Sequence, residues 1–487
     1  MRAVIFLLAI GCATAPRGAA SASSAGPGPD AKEDPRLSSL LSEAIRFPTV
    51  AGNDQARRDE QAWLLRTAAS LGLLAREAGP VTEIELPGPP GAPVLGLVVH
   101  GDVQPVDAAQ WTVPPFAGLV RDGFVIGRGA ADDKGPLVQA LLAMHGLRSA
   151  KLTHTVRLLV GSDEESGSSD MKAYLAAHAP PAYSLVLDSG FPVVVGEKAW
   201  DGLAVLPASE ACKGIVEVDA GLAPSIVPDR ARLTLNGDTA ALQKRLAAKT
   251  PDEGTRLELR QRGDLLDVVV HGKSAHAGVN LGGGRNALVS LARLLKGELP
   301  DCAVADLFAF IAAQDTRGAA LGLPEGAPGW GGWSVNVATL RKEPRLGGKL
   351  ALVINLRRPP PMNATQSRDH LYAQVRKFSE RLEPGTIFFG DEPLTFDPQG
   401  KLVRRLMEDY AKATGERPSP AISGGGTYAK RIPNAIAFGM WFPGKPYPGH
   451  DVDEQLPVAD LQRGLEVLAL TLRDLATGAP LEEPFQP

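Results

Sequence analysis

The sequence predicts an α/β protein in which a mainly parallel sheet, discontinuous along the chain, is interrupted by an inserted α+β domain. Three observations carry that prediction. From residue 36 to about 205, short β-rich apolar runs alternate with amphipathic helical stretches, the order that a parallel sheet requires. Between about 206 and 384 the texture changes to strands separated by helices, as in an α+β sheet covered by helices. From 385 to 487 the first texture returns. At roughly 150 residues per domain, a chain of 487 residues has room for two to four domains.

The elements follow in order. "MRAVIFLLAIGCATA" offers one positive charge, a short apolar run and small residues, the layout of a secretory leader; the run is too short to cross a bilayer. Cys12 follows "LLAIG" as in a lipoprotein cleavage box, though Ala9 stands where such boxes carry Leu, so a lipid anchor and an ordinary leader are both open. Residues 1–35 are thus read as signal and Ala/Ser/Gly/Pro-rich tether. The strands expected next are "APVLGLVVH", "TVRLLVGS" and "YSLVLDSG". "PLVQALLAMHGLR" is a helix with Pro136 in its first turn, and Ser and Asp offer caps for "SSDMKAYLAAHA". The insert, 206–384, holds strands "GIVEVDAG", "ARLTLNG", "LLDVVVHGK" and "KLALVINLRRP" between helices "TAALQKRLAAK", "RNALVSLARLLKG" and "TQSRDHLYAQVRKFSERL". Helix "GKLVRRLMEDYAKATG", strand "NAIAFGMWF" and a helix from Val458 to Ala476 complete the first domain.

Composition excludes several functions. Lys plus Arg is 51 and Asp plus Glu 55, a net charge of −4 without a long basic run, which argues against a nucleic-acid partner. Cys212 and Cys302 are too few for a disulfide framework or a thiolate zinc site, so any metal must bind through His and carboxylates.

Each early strand ends in such groups: His100 and Asp102, then Glu164 and Glu165, then Asp188. Carboxyl ends of strands in open α/β sheets are where ligands bind, so these residues are expected to converge. His-x-Asp has a physical rationale, because a ligating histidine usually donates its second N–H to a carboxylate that fixes its tautomer. In "GSDEESGSSDM" neighbouring side chains diverge, so Glu165 can face a metal while Glu164 faces its water.

"HGDVQP", "DGFVIGRGAADDKG", "DEESGSSDM", "LDSGFPVVVGEK", "HGKSAHAG" and "GGGTYAKRIPNAIAFGMWFPG", followed by His450, together resemble the zinc-dependent aminoacylase and glutamate-carboxypeptidase family of metallopeptidases. "DSGFPVVVGEK" and the large insert look most like its dipeptidase V and carnosinase-like branch. The resemblance spans roughly residues 36–475. It implies a two-zinc centre, manganese or cobalt being able to substitute, with ligands His100, Asp132, Glu165, Asp188 and His450. Asp132 is implied as the bridge, three residues after Gly129 of the "GRG" turn. It further implies Glu164 as the base, Asp102 beside His100, His276 as a lid histidine over the oxyanion, and a monomer that supplies its own lid histidine. Arg357 matches the lid arginine that takes a substrate carboxylate, with Arg358 expected to be solvated, and Gly426 and Thr427 of "GGGT" offer backbone N–H groups to the same carboxylate.

Two departures stand out: Ser225 occupies a position where relatives commonly carry Asn, and "WTVPPF" lacks an acidic residue before "PF". The implied activity is hydrolysis of dipeptides or small peptides by an exported enzyme. The alternatives are an N-acyl amino acid amidohydrolase, which acts on the same amide and carboxylate, and a non-catalytic envelope binding protein, which would be expected to have lost ligands or Glu164. "GKSAH" fails as a serine-hydrolase elbow because His276 fills the last glycine position, and Asp267 stands where a phosphate loop needs glycine.

Overall fold

The computed structural model describes residues 34–237 and 239–481; the leader, Cys12 and the tether up to residue 33 lie outside the described residues. The Asp34 carboxylate accepts the Arg36 N–H to cap helix Pro35–Ile45, with proline in the first turn. The fold therefore begins inside the last two positions read as tether.

Nine strands form the first sheet. At its centre Val94–His100 lies parallel to Thr155–Gly161 on one side and to Tyr183–Val186 on the other. Ala435–Ala437 joins Tyr183–Val186 in parallel from the far end of the chain, which is why the domain is discontinuous in sequence. Leu74–Ala78 and Val81–Leu86 extend one edge antiparallel, and Val194–Glu197 with Leu394–Thr395 the other, where Ala421–Ser423 also pairs with Val194–Glu197 in parallel. The central strand is covered on both faces, so Leu95, Leu97, Val98 and Val99 are all inaccessible and the sequence reads as an unbroken apolar run. Helix Lys134–Gly146 is buried from Lys134 to Met144 beneath helix Val458–Thr477.

Two expected strands break. "YSLVLDSG" is strand only to Val186, and "NAIAFGMWF" divides into Ala435–Ala437 and Met440–Trp441, the second pairing with Ser189–Gly190. The break after Val186 turns Asp188 out of the sheet, toward His100.

The second sheet is antiparallel throughout, eight strands running from Ala199–Pro207 to Leu382–Phe388. The boundaries read at 206 and 384 thus fall within its first and last strands. One face buries Leu203, Val268, Leu352 and Ile354 against helices Ala287–Leu294, Ala303–Ala312 and Ala364–Phe378. Strand alternation sends Asn355 and Arg357 to the opposite face. The two cysteines form one disulfide, Cys212–Cys302, across 90 residues. Closing so long a loop restricts the unfolded chain, and replacing both cysteines by serine is expected to cost about 2–5 kcal/mol. Denaturant unfolding measures this; an unchanged midpoint with and without reductant would show that the bridge contributes nothing.

Candidate active site

Three adjacent parallel strands deliver polar groups at their carboxyl ends. His100 closes its strand fully buried, with Nε2 3.0 Å from Asp132 Oδ1 and 3.8 Å from Asp188 Oδ2. His450 arrives from the opposite end of the chain, Nε2 lying 3.2 Å from Asp132 Oδ2 and 3.0 Å from Glu165 Oε1. Asp132 therefore presents one carboxylate oxygen to each imidazole. Its neighbour Asp133 accepts the His100 main-chain N–H through Oδ2 at 3.2 Å and also offers a ligand atom within 4.8 Å of those of His100 and Asp188. All five residues that the resemblance implies as ligands meet in this cluster, in which His100, Asp132 and Glu165 offer ligand atoms within 4.8 Å of one another.

Asp102 does more than orient His100. The closest partner of His100 Nδ1 is the Asp102 main-chain carbonyl, at 2.9 Å, with the carboxylate at 3.5 Å. That carboxylate accepts the N–H groups of Glu164 and Glu165, at 3.1 and 3.0 Å, and so fixes the turn carrying both glutamates. Asp163, rather than Ser168 or Asp170, accepts the N–H of Ser169 at the start of the following helix. Asp170 instead receives the Ser162 N–H and the Tyr428 hydroxyl, both at 2.6 Å. Gly161 is needed at this point because a Cβ would run into the Tyr428 hydroxyl.

The electrostatics are those of a cation site. Although burial works against charge, the two imidazoles hold the Asp132 carboxyl well below the usual carboxylate range. His450, against the same burial, is raised to about 10 by Glu165 and Asp132. Burial and like-charged neighbours push Asp188, Glu164 and Asp133 well above that range, and Asp102 up to about 7. Carboxylates held this close repel one another, and a divalent cation relieves that repulsion where two imidazoles cannot. Oxygen and imidazole donors without thiolate suit zinc, manganese or cobalt.

His276 comes from the loop after strand Leu265–His271 of the second sheet, its ring 4.3 Å from that of His450. Its Nδ1 accepts the N–H groups of Gly278 and Val279, each at 3.0 Å, so the ring proton sits on Nε2. Burial, with His450 and Arg357 nearby, lowers its pKa well below the ordinary value, leaving a neutral donor. Arg357 is buried with an unpartnered Nε and borders the cavity that Glu164 also lines. Arg358 is not solvated as expected: it is fully buried against Asp201 at 2.9 Å and Glu392 at 3.0 Å, because strand alternation turns it away from Arg357. Thr427 also departs from expectation. Its N–H and hydroxyl donate to Glu197 at 3.1 and 2.8 Å, so they are already engaged, whereas Gly426 lines the cavity without such a bond.

Two cavities flank Glu164, Glu165 and His276. One, of 160 Å³, is walled by Val194, Val279, Ile422 and Trp441; the other, of 510 Å³, by Arg357, Trp200, Asn355 and Lys430.

Sequence reasoning missed Gln104 and Glu454. Gln104 Nε2 donates to Glu165 Oε2 at 2.7 Å and to Ser225 Oγ at 2.9 Å, linking the first sheet to the insert at the position noted for lacking Asn. Glu454 is wholly buried and accepts from Arg128 at 2.7 Å and from the N–H groups of Gly129, Ala131 and Asp132 at 3.1, 2.8 and 3.2 Å. It lies four residues after His450, so one carboxylate locks the Asp132 loop to the His450 loop. Its position in "GHDVDEQ" was the available signal, but an acidic residue in a loop reads as solvated.

Residues 96–474 match the family described as Peptidase family M20/M25/M40. The chain is 30% identical over 404 residues to a Bacillus subtilis (strain 168) protein named "Putative dipeptidase YtjP", covering 79% of this chain and 84% of that one. It is 26% identical over 391 residues to the Beta-Ala-Xaa dipeptidase of Lactobacillus delbrueckii subsp. lactis, covering 78% and 82%. Human carnosine dipeptidase 1 shares the fold, with a TM-score of 0.57 and 14% identity over 90% of this chain and 95% of that one.

Partners that orient metal-binding groups are worth about 10–100-fold in metal affinity. Glu454→Gln, which cannot accept all four hydrogen bonds, is therefore expected to lose divalent metal on dialysis that the unaltered protein retains. Elemental analysis beside a melting curve reads this, and full retention of metal would refute the role.

Proposed function

The chain belongs to peptidase family M20/M25/M40, and from that premise we propose that it hydrolyses dipeptides or small peptides bearing a free C-terminal carboxylate, using two zinc ions. His100, Asp132, Glu165, Asp188 and His450 would hold the ions. Bound there, the zinc ions would polarise the scissile carbonyl and acidify the attacking water.

The remaining work falls to side chains of this chain. Glu164 takes the proton of the attacking water and returns it to the leaving amine, a role supported by its place between the two cavities. Asp102 holds Glu164 and Glu165 in register through their N–H groups. His276 Nε2–H donates to the carbonyl oxygen as negative charge develops, which the two hydrogen bonds into Nδ1 support. Arg357 receives the carboxylate with its planar fork. The smaller apolar cavity then takes the N-terminal residue and the larger one the C-terminal residue. The one observation that carries this reading is that Glu164, the imidazole–carboxylate cluster and Arg357 all face adjoining cavities.

We further propose a monomer, exported from the cytoplasm and tethered to the envelope if its leader is processed at Cys12. His276 beside His450 of the same chain supports self-sufficiency. The leader-like start and the Cys212–Cys302 disulfide support an oxidising compartment.

Glu164→Gln is expected to lower kcat on dipeptides by about 10²–10⁴-fold with metal content intact. Chelator should abolish turnover and added zinc restore it. Turnover by the variant would remove Glu164 from the mechanism, and a preference for N-acetyl or N-succinyl amino acids over dipeptides would shift the substrate to acylated amino acids. Cell fractionation tests the location: Cys12→Ser should release an anchored form into the soluble envelope fraction, and recovery of the unaltered protein from the cytoplasm would refute export.

A further inference from the structure

One face of the second sheet concentrates buried polar atoms that have no hydrogen-bond partner among the described residues. Trp200 Nε1, Asn336 Oδ1, both side-chain atoms of Asn355, and Arg357 Nε are all in this state. They come from three neighbouring strands in register, Trp200 opposite Arg357 and Asn336 opposite Asn355. Cross-strand partners and residues two apart share a face, so these groups form one cluster. Trp200, Asn355 and Arg357 border the 510 Å³ cavity next to Glu164. Asn355 and Arg357 are 1% and 7% exposed, and the Trp200 indole is fixed by stacking on Phe388, ring centroids 5.0 Å apart. Asn336 is held in place by its own donations to the carbonyls of Pro224 and Ile226, in the loop carrying Ser225.

We infer that this cluster selects the C-terminal side chain of the substrate, favouring one that both donates and accepts hydrogen bonds, a primary carboxamide as in glutamine or asparagine. The inference rests on the dipeptidase reading, in which Arg357 takes the α-carboxylate. Once that carboxylate occupies the arginine, the cluster still offers donors from Trp200 and Asn355 and acceptors from Asn336 and Asn355. Turning the Asn355 nitrogen toward Asn336 Oδ1 satisfies that pair and leaves one acceptor, Asn355 Oδ1, and one donor, Trp200 Nε1. In both arrangements the complement is a group carrying a donor and an acceptor side by side. A carboxylate side chain accepts only and leaves Asn355 Oδ1 unpaired. An aliphatic side chain displaces water from the cavity and pairs with nothing. Sites built to hydrogen-bond a substrate group reject analogues lacking it, because their own buried polar groups are stranded.

The test is a series with a constant N-terminal residue: Ala-Gln, Ala-Glu, Ala-Met and Ala-Leu, methionine matching glutamine in length. The expected kcat/KM for Ala-Gln exceeds that for Ala-Met and Ala-Leu by about 10- to 100-fold, the consequence of one buried group left unpaired, with Ala-Glu between them. Equal values across the series, or a preference for Ala-Leu, would overturn the inference while leaving the dipeptidase reading intact; no hydrolysis of any dipeptide would overturn that reading instead. Asn355→Leu and Trp200→Phe, each checked for folding by its melting curve, should bring the Ala-Gln to Ala-Met ratio close to one. An unchanged ratio in a folded variant would exclude that residue from selection. If Asn355→Leu does not fold, Trp200→Phe and the unaltered protein's series still decide the matter.

Discussion

The site depends on one carboxylate held between two imidazoles. Asp132 presents its oxygens to His100 at 3.0 Å and His450 at 3.2 Å, and those histidines come from distant parts of the chain. A buried charge is tolerated only when its neighbours are fixed, since a loose partner leaves it unpaired at low dielectric. The rest of the first domain supplies that fixity. Glu454 binds the Asp132 loop by its backbone, and Lys134, fully buried at the start of the following helix, pairs with Glu60 at 2.8 Å and donates to the carbonyls of Ala44 and Phe47. Each clamp joins segments far apart in sequence, so the geometry of the cluster is a property of the whole domain.

The second sheet adds what the first cannot. Strand ends of the parallel sheet furnish the His100 imidazole and the carboxylates of Glu164, Glu165 and Asp188. A neutral N–H donor and a guanidinium have to approach from outside that ring, and His276 and Arg357 do so from the insert. Gln104 links the two parts, donating at once to Glu165 and Ser225. The same chain thus provides both the carboxylates of the site and its donors, and the two cavities share Glu164, Glu165 and His276 in their walls.

Part of this was legible in the sequence because several residues of the cluster sit at or just beyond strand ends, where an apolar run stops at a polar group. His100, Glu164, Glu165 and Asp188 could be picked out in that way, and the family resemblance added Asp132, His276, Arg357 and His450. Of the residues that hold those groups in place, Asp102 was legible beside His100, but Glu454 and Asp163 were not: most of their partners are backbone N–H groups, which leave no trace in the sequence. Arg358 was misjudged because adjacent arginines on a strand face opposite ways, and only the sheet shows that its outer face is packed against Asp201. Thr427 was misjudged for the same kind of reason: its donors looked free until Glu197, distant in sequence, was seen to use them.

Buried groups in this protein fall into two kinds. Arg358, Lys134 and Glu454 have every charge matched within the fold, so their desolvation is offset and they hold the architecture rigid. Among the described residues, Asn355, Arg357 and Trp200 have buried atoms with no protein partner, and a group of this kind costs roughly 1–3 kcal/mol when nothing pairs with it. A fold under no constraint but stability would replace them by apolar residues, as it has on the opposite face of the same strands with Leu352, Ile354 and Leu356. Their persistence on the face that borders Glu164 places the instability where a ligand can remove it. Binding energy gained there comes from pairing groups the free protein leaves unsatisfied, which makes recognition on this wall depend on hydrogen bonding more than on apolar area.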